Sequence, residues 1–222
     1  MRVLLALAIA AAALLSLVAH LPLRWFAPAA LGTASGTVWE GQITAVPLLG
    51  SVSVDTGPGY VDIATPPGEV TLRGRVSPSS VSDLSLGMPV SRLPTNEGRL
   101  AGLAGRFSLR LDSARLEDGV CAEASGTAST DMLAANGGRF GWTGPELSGP
   151  VDCVDGRLRV RMSGESADGT VESLTTTGAD GVYQSEITVR SSDPAAGNAL
   201  VLFGFNRAGD GEYRLAEQGR WR

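Results

Sequence analysis

The chain has no lysine; all 18 of its basic residues are arginine. That excludes a P-loop lysine, a Schiff-base lysine and a Ser–Lys dyad. Histidine is nearly as scarce, with His20 alone. It lies at the end of an apolar run, so no Ser–His or Cys–His pair and no histidine-ligated metal site is expected beyond it. Asp and Glu are scattered through segments that read as turns, and no two stand out as the paired carboxylates of a hydrolase. Aromatic residues make up 5% of the chain against 29 glycines, a balance that suits a sheet protein with many tight turns. The net charge is −5, with no basic stripe carrying interleaved aromatics, which argues against a nucleic-acid partner. The expectation is a non-enzymatic protein with no cofactor.

What is present begins with Val3 to Leu21, apolar apart from Ser16 and His20 and free of charge. At about 1.5 Å per residue a helix over that run matches the hydrocarbon core of a bilayer. No small-x-small cleavage site follows it, because Leu17-Val18-Ala19 puts a large residue where a small one is needed. The run therefore reads as a retained anchor rather than a cleaved signal peptide. Arg2 favours a cytoplasmic N-terminus, and Trp25 and Phe26 fit an aromatic belt at the far interface. Pro22 and Pro28 end any helix. The chain divides into residues 1–31, holding N-terminus, membrane helix and linker, and an exported domain over residues 32–222.

Only two cysteines occur, Cys121 and Cys153. In an exported domain the simplest reading is one disulfide between them; two buried free thiols are the alternative.

Beyond the linker the pattern is that of short strands. Gly36-Thr37-Val38-Trp39-Glu40-Gly41 reads as a first strand whose Trp39 anchors the core, with Gly36 and Gly41 permitting tight bends. Apolar and polar residues alternate over Ser51–Asp55, Arg106–Leu111, Arg157–Met162 and Tyr183–Arg190. This period of two predicts antiparallel sheet with one covered and one wet face, and it puts Arg157, Arg159 and Arg161 on the solvated side. Ser77-Pro78 could cap a helical turn, but Pro89 and Pro94 exclude a long helix over Val81–Leu93. Short helical segments are expected over Met132–Asn136 and from Pro194 to about Leu202, the latter capped by Asp193. Glu212–Ala216 and Gly219–Arg222 read as a closing strand pair. The predicted fold is all-β: a membrane helix followed by about ten or more strands in one large twisted antiparallel sheet. That sheet is either an open trough or folded over as a sandwich, with one or two short helices. A trough would leave its apolar face for an apolar ligand or partner.

The order of these pieces resembles the type II secretion system protein N family, also called general secretion pathway protein N. The resemblance rests on Gly36–Gly41 soon after the membrane run and on Gly105-Arg106-Phe107-Ser108-Leu109-Arg110-Leu111 leading to Cys121 and Gly126. It continues through Leu147-Ser148-Gly149-Pro150 before Cys153, Asp155-Gly156-Arg157-Leu158 and Asp180-Gly181-Val182-Tyr183. Phe203-Gly204-Phe205 and Gly219-Arg220-Trp221 complete it. Where family members often place Trp after Cys121, this chain has Gly126-Thr127-Ala128-Ser129. The resemblance implies a single-pass protein of the bacterial inner membrane with a periplasmic β domain. It implies an accessory of the secretion machinery, working beside its other inner-membrane and periplasmic components while folded periplasmic proteins cross the outer membrane. A rival expectation is an AsmA-like envelope protein, which follows one membrane helix with a curved sheet and would hold lipid in an apolar groove.

Overall fold

Strict alternation of apolar and polar side chains, cut by glycine, proline and Asp-Gly pairs, gives a succession of hairpins. The computed structural model describes residues 20–25, 32–46, 49–93, 102–142 and 144–220. Its strands are β1 (Thr33–Gly36), β2 (Glu40–Val46), β3 (Gly50–Gly57), β4 (Tyr60–Ala64), β5 (Thr71–Ser77), β6 (Ser80–Pro89) and β7 (Arg106–Glu117). The second half adds β8 (Val120–Thr130), β9 (Leu147–Val154), β10 (Arg157–Ser166), β11 (Gly169–Thr177), β12 (Val182–Arg190), β13 (Asn206–Gly209) and β14 (Glu212–Arg220). Among the described residues three short α-helices interrupt them: α1 (Met132–Ala135), α2 (Gly137–Phe140) and α3 (Pro194–Leu202).

All fourteen strands lie in one antiparallel sheet, in chain order except that β14 pairs with β12 and leaves β13 at the edge. The sheet is open, with β1 and β13 as its ends. Asp118-Gly119 and Asp155-Gly156 make the turns β7–β8 and β9–β10, all four residues having positive φ, the geometry that Asp-Gly supplies in two-residue hairpins. Asp193 caps α3 as expected: its Oδ1 accepts a hydrogen bond from Ala195 N at 2.8 Å, and Pro194 occupies the first turn.

Two buried clusters form the core. One gathers Leu111, Ala128 and Val151 on strands β7 to β9, with Leu84, Leu109, Leu158 and Val160 packed around them. The other sets α3 on the sheet, joining Ala196 and Leu200 to Val171, Val189, Tyr213, Leu147 and Trp142.

Three sequence expectations are corrected. The segment Gly36–Gly41 is a tight reversal between β1 and β2, not a strand: Gly36, at φ +84°, pairs directly with Gly41. Glu40 N donates to Thr37 Oγ1 at 3.2 Å across the turn. Trp39 is thereby carried to the turn and is 41% exposed, so it does not anchor the core. The closing strand pair is instead one strand, β14, that runs through Gly219, where the Tyr183 ring lies over the missing side chain. Ser77-Pro78 opens the β5–β6 hairpin turn rather than a helical turn, and residues to Pro89 are strand, followed by a single 3-10 turn at Val90–Arg92. Among the described residues no helix is long and apolar enough to cross a membrane. Val3 and most of the apolar run lie outside the described residues, while Leu21 lies within them.

Candidate interaction surface

Residues directly opposite one another in adjacent strands share a face, so the register identifies what each face carries. One row runs across the molecule through Gly41, Val54, Ile63 and Gly74. It resumes at Leu84 and passes through Leu111, Gly126, Val151 and Val160. On the last strands it turns polar, at Thr175, Ser185 and Glu217. A parallel row holds Leu72, Leu86, Leu109 and Ala128. The apolar face thus runs from β2 to β10 along these rows and continues beyond β10 through Gly164, Val171, Val189 and Tyr213, under α3.

Neighbouring backbone crowds this face at its glycines. A β-carbon on Gly126 would lie 2.9 Å from Leu111 Cα, and one on Gly149 would lie 3.0 Å from the Arg161 carbonyl carbon. Real β-carbons essentially never approach so closely, so neighbouring backbone bends over the glycines on the apolar side. Strands β8 and β9 are further tied at the β9–β10 turn. There the amide of Cys121, at the start of β8, donates to Gly156 O in the β9–β10 turn at 3.1 Å. Cys121 and Cys153 form a disulfide in the same place, with Cα atoms 5.6 Å apart. At the β11–β14 end α3 and Trp142 cover the apolar face.

The opposite face is polar and laced with cross-strand ion pairs. Arg75 grips Asp62 with Nε–Oδ1 at 2.7 Å and Nη2–Oδ2 at 2.9 Å, and its guanidinium also lies 4.0 Å from the centre of the Tyr60 ring. Arg159 Nε donates to Asp152 Oδ1 at 2.8 Å. Glu212 accepts from Arg214 and from Arg190. Each arginine's hydrogen bond holds its carboxylate below the usual range; for Glu212 that of Arg214 is the larger influence. Arg159, expected on a solvated arginine stripe, is therefore ion-paired, while Arg161 is exposed.

The other end of the apolar face meets the chain leaving the apolar run. Leu23, 7% exposed, packs beside Gly41, where a β-carbon would fall 2.6 Å from Leu23 Cδ2 and 2.8 Å from Ser35 O. Pro22 bridges to Thr37, and Val38 N donates to Leu21 O at 2.9 Å. The structure thus brings Leu21, Gly36, Trp39 and Gly41 into one corner and sets the Cys121–Cys153 bridge apart, on β8 and β9. Sequence reading missed the tie between residues 21–23 and the turn; two glycines bracketing four residues were the available signal. Among the described residues no group of three His, Cys, Asp or Glu could hold a metal ion.

A search of curated proteins and one of solved structures each gave no match. The family model for the type II secretion system (T2SS), protein N, matches residues 27–216, which takes in all fourteen strands up to the middle of β14. The chain belongs to the type II secretion system protein N family and so takes part in type II secretion.

Proposed function

We propose that this protein is a non-enzymatic accessory of the type II secretion machinery, held in the bacterial inner membrane by one helix. In this reading residues 1–31 comprise a cytoplasmic N-terminus, the membrane helix and a linker, and residues 32–222 form the periplasmic domain. The family match over residues 27–216 carries the proposal. The apolar run Val3–Leu21 supports the anchor, and the lack of lysine and near-lack of histidine support a binding rather than a catalytic role. Anchoring confines the domain to two dimensions and raises its effective concentration beside other membrane-held subunits of the machinery. Deletion should leave secretion substrates folded in the periplasm, with envelope lipid composition normal. The full-length protein should restore release, and the domain freed of residues 1–27 should restore it poorly.

The extended apolar face favours a second reading, an AsmA-like protein that binds or transfers lipid. Sheet interior offers no unpaired backbone groups, which suits a hydrocarbon chain better than an extended peptide. Normal secretion in the deletion strain together with an outer-membrane lipid defect would reject the first reading in favour of this one.

A further inference from the structure

We propose that the β1–β2 turn is a bilayer-surface contact in which Trp39 sits in the lipid headgroup layer. The inference rests on the reading of Val3–Leu21 as a membrane anchor and adds a second, separate point of attachment. Its basis is the height at which the turn is fixed. Leu21 is the last residue of the apolar run, and its carbonyl accepts the hydrogen bond of Val38 N at 2.9 Å. Pro22 bridges to Thr37, and Leu23 is buried beside Gly41, so three successive residues tie the departing chain to the turn. Trp39 is one residue further on, about 3.3 Å of backbone. The interfacial layer on each side of the hydrocarbon is about 5–7 Å deep. An anchor that ends at Leu21 therefore leaves the backbone of the turn within reach of that layer.

The side chain suits the place. Trp39 is 41% exposed on a turn whose neighbours Thr37 and Val38 carry no charge. Indole, with an apolar body and one N–H donor, concentrates at membrane–water interfaces. Exposed Arg24 adds a cation nearby, but Glu40 and Asp55, paired across β2 and β3, add two anions. Local charge thus gives no preference for anionic lipid, and the contact is to the interface as such.

The test uses the full-length protein in nanodiscs of phosphatidylcholine, with and without phosphatidylglycerol. Nitroxide lipids carry the quencher either near the carbonyls or at the chain end. One variant keeps Trp39 as its only tryptophan; a second keeps only Trp25; a third is Trp39→Phe in the otherwise unaltered chain. Trp39 emission should be blue-shifted, strongly quenched by the shallow nitroxide, weakly by the deep one, and alike in both lipid mixtures. Trp39→Phe should remove that shallow-quenched component, a readout that does not depend on the multiple replacements folding. An unquenched Trp39 beside a quenched Trp25 overturns the proposal while keeping the anchor, and leaves a protein contact as the use of the ring. If neither is quenched, the anchor reading falls and the proposal with it.

Discussion

The ring of Tyr213 occupies the space that a side chain on Gly197 would need. A β-carbon there would lie 2.9 Å from Tyr213 Cζ and closer still to Oη. Gly197 is in the middle of α3, where alanine is ordinarily the better helix former by up to about 1 kcal/mol. Contact decides the sign here, because Tyr213 is only 8% exposed and has little room to yield.

Gly197→Ala should therefore lower stability, the overpacking cost of about 1–3 kcal/mol exceeding the gain in propensity. Tyr213→Phe in the same chain should recover part of the loss, since it removes the nearest atom but not the ring. Urea unfolding of the two variants checks this, and a stabilised Gly197→Ala would refute the seating of α3.

At the other end of the sheet, Gly41→Ala should separate Leu23 from the β1–β2 corner. Its new methyl group would meet the Ser35 and Thr37 carbonyl oxygens at 2.8 Å, and backbone cannot swing away as a side chain can. A loss of about 1–3 kcal/mol is expected. Adding Leu23→Ala should not restore it, because two of the three obstructions are main chain. Hydrogen exchange of the Val38 amide should accelerate in Gly41→Ala, and unchanged protection would count against the tie to Leu21.

Reduction of the Cys121–Cys153 bridge should weaken the domain without abolishing its fold. The bridge spans 32 residues, for which loop-closure entropy gives about 3–4 kcal/mol as an upper value. Strands β8 and β9 are also joined by their own ladder from Gly126–Val151 to Thr130–Leu147, which survives reduction. The expected result is a lower urea midpoint with reductant and in Cys121→Ser/Cys153→Ser, both with sheet-like circular dichroism. Identical midpoints with and without reductant would contradict it.

Acid should destabilise the domain in a defined window. Asp62, Asp152 and Glu212 have folded-state pKa values below their ordinary ones of 3.8 and 4.5 because arginines donate to their charged forms. A depressed carboxylate contributes stability that is present above its unfolded pKa and lost as pH falls through the folded one. The urea midpoint should thus be flat between about pH 5 and 7 and decline below the ordinary carboxylate range. The Arg75 and Asp62 side chains are 46% and 44% exposed, so added salt should flatten the decline. Asp62→Asn should reduce its slope.

Much of the sheet is legible in the sequence because its rows are simple. Phe107, Leu109 and Leu111, or Leu158, Val160 and Met162, stand two apart and share the apolar face in the register observed. The α3 cap is equally local, since Asp193 and Pro194 act on their own neighbours. Trp39 was misplaced for a non-local reason. Thr, Val and Trp favour a strand taken singly, but the pairing of Gly36 with Gly41 leaves those residues in the reversal. Gly219 was misread as a break because Tyr183, far off in sequence, covers it within β14. The corner formed by Leu21, Pro22 and Leu23 had no sequence pattern of its own, being made by backbone hydrogen bonds and by the absence of a side chain at Gly41.

The meander order of the sheet bears on how the chain acquires its shape. From β1 to β11 each strand pairs only with the strands just before and after it in sequence, so every one of those pairings closes a short loop. Such a chain can fold vectorially, each newly made strand adding to an edge already formed, with no segment held open for a distant partner. β14 alone breaks the rule, inserting beside β12 after α3 and β13 have passed. Until that final strand arrives, the β12 edge stays exposed to wrong partners, and a chain truncated before Glu212 would keep that adhesive edge permanently.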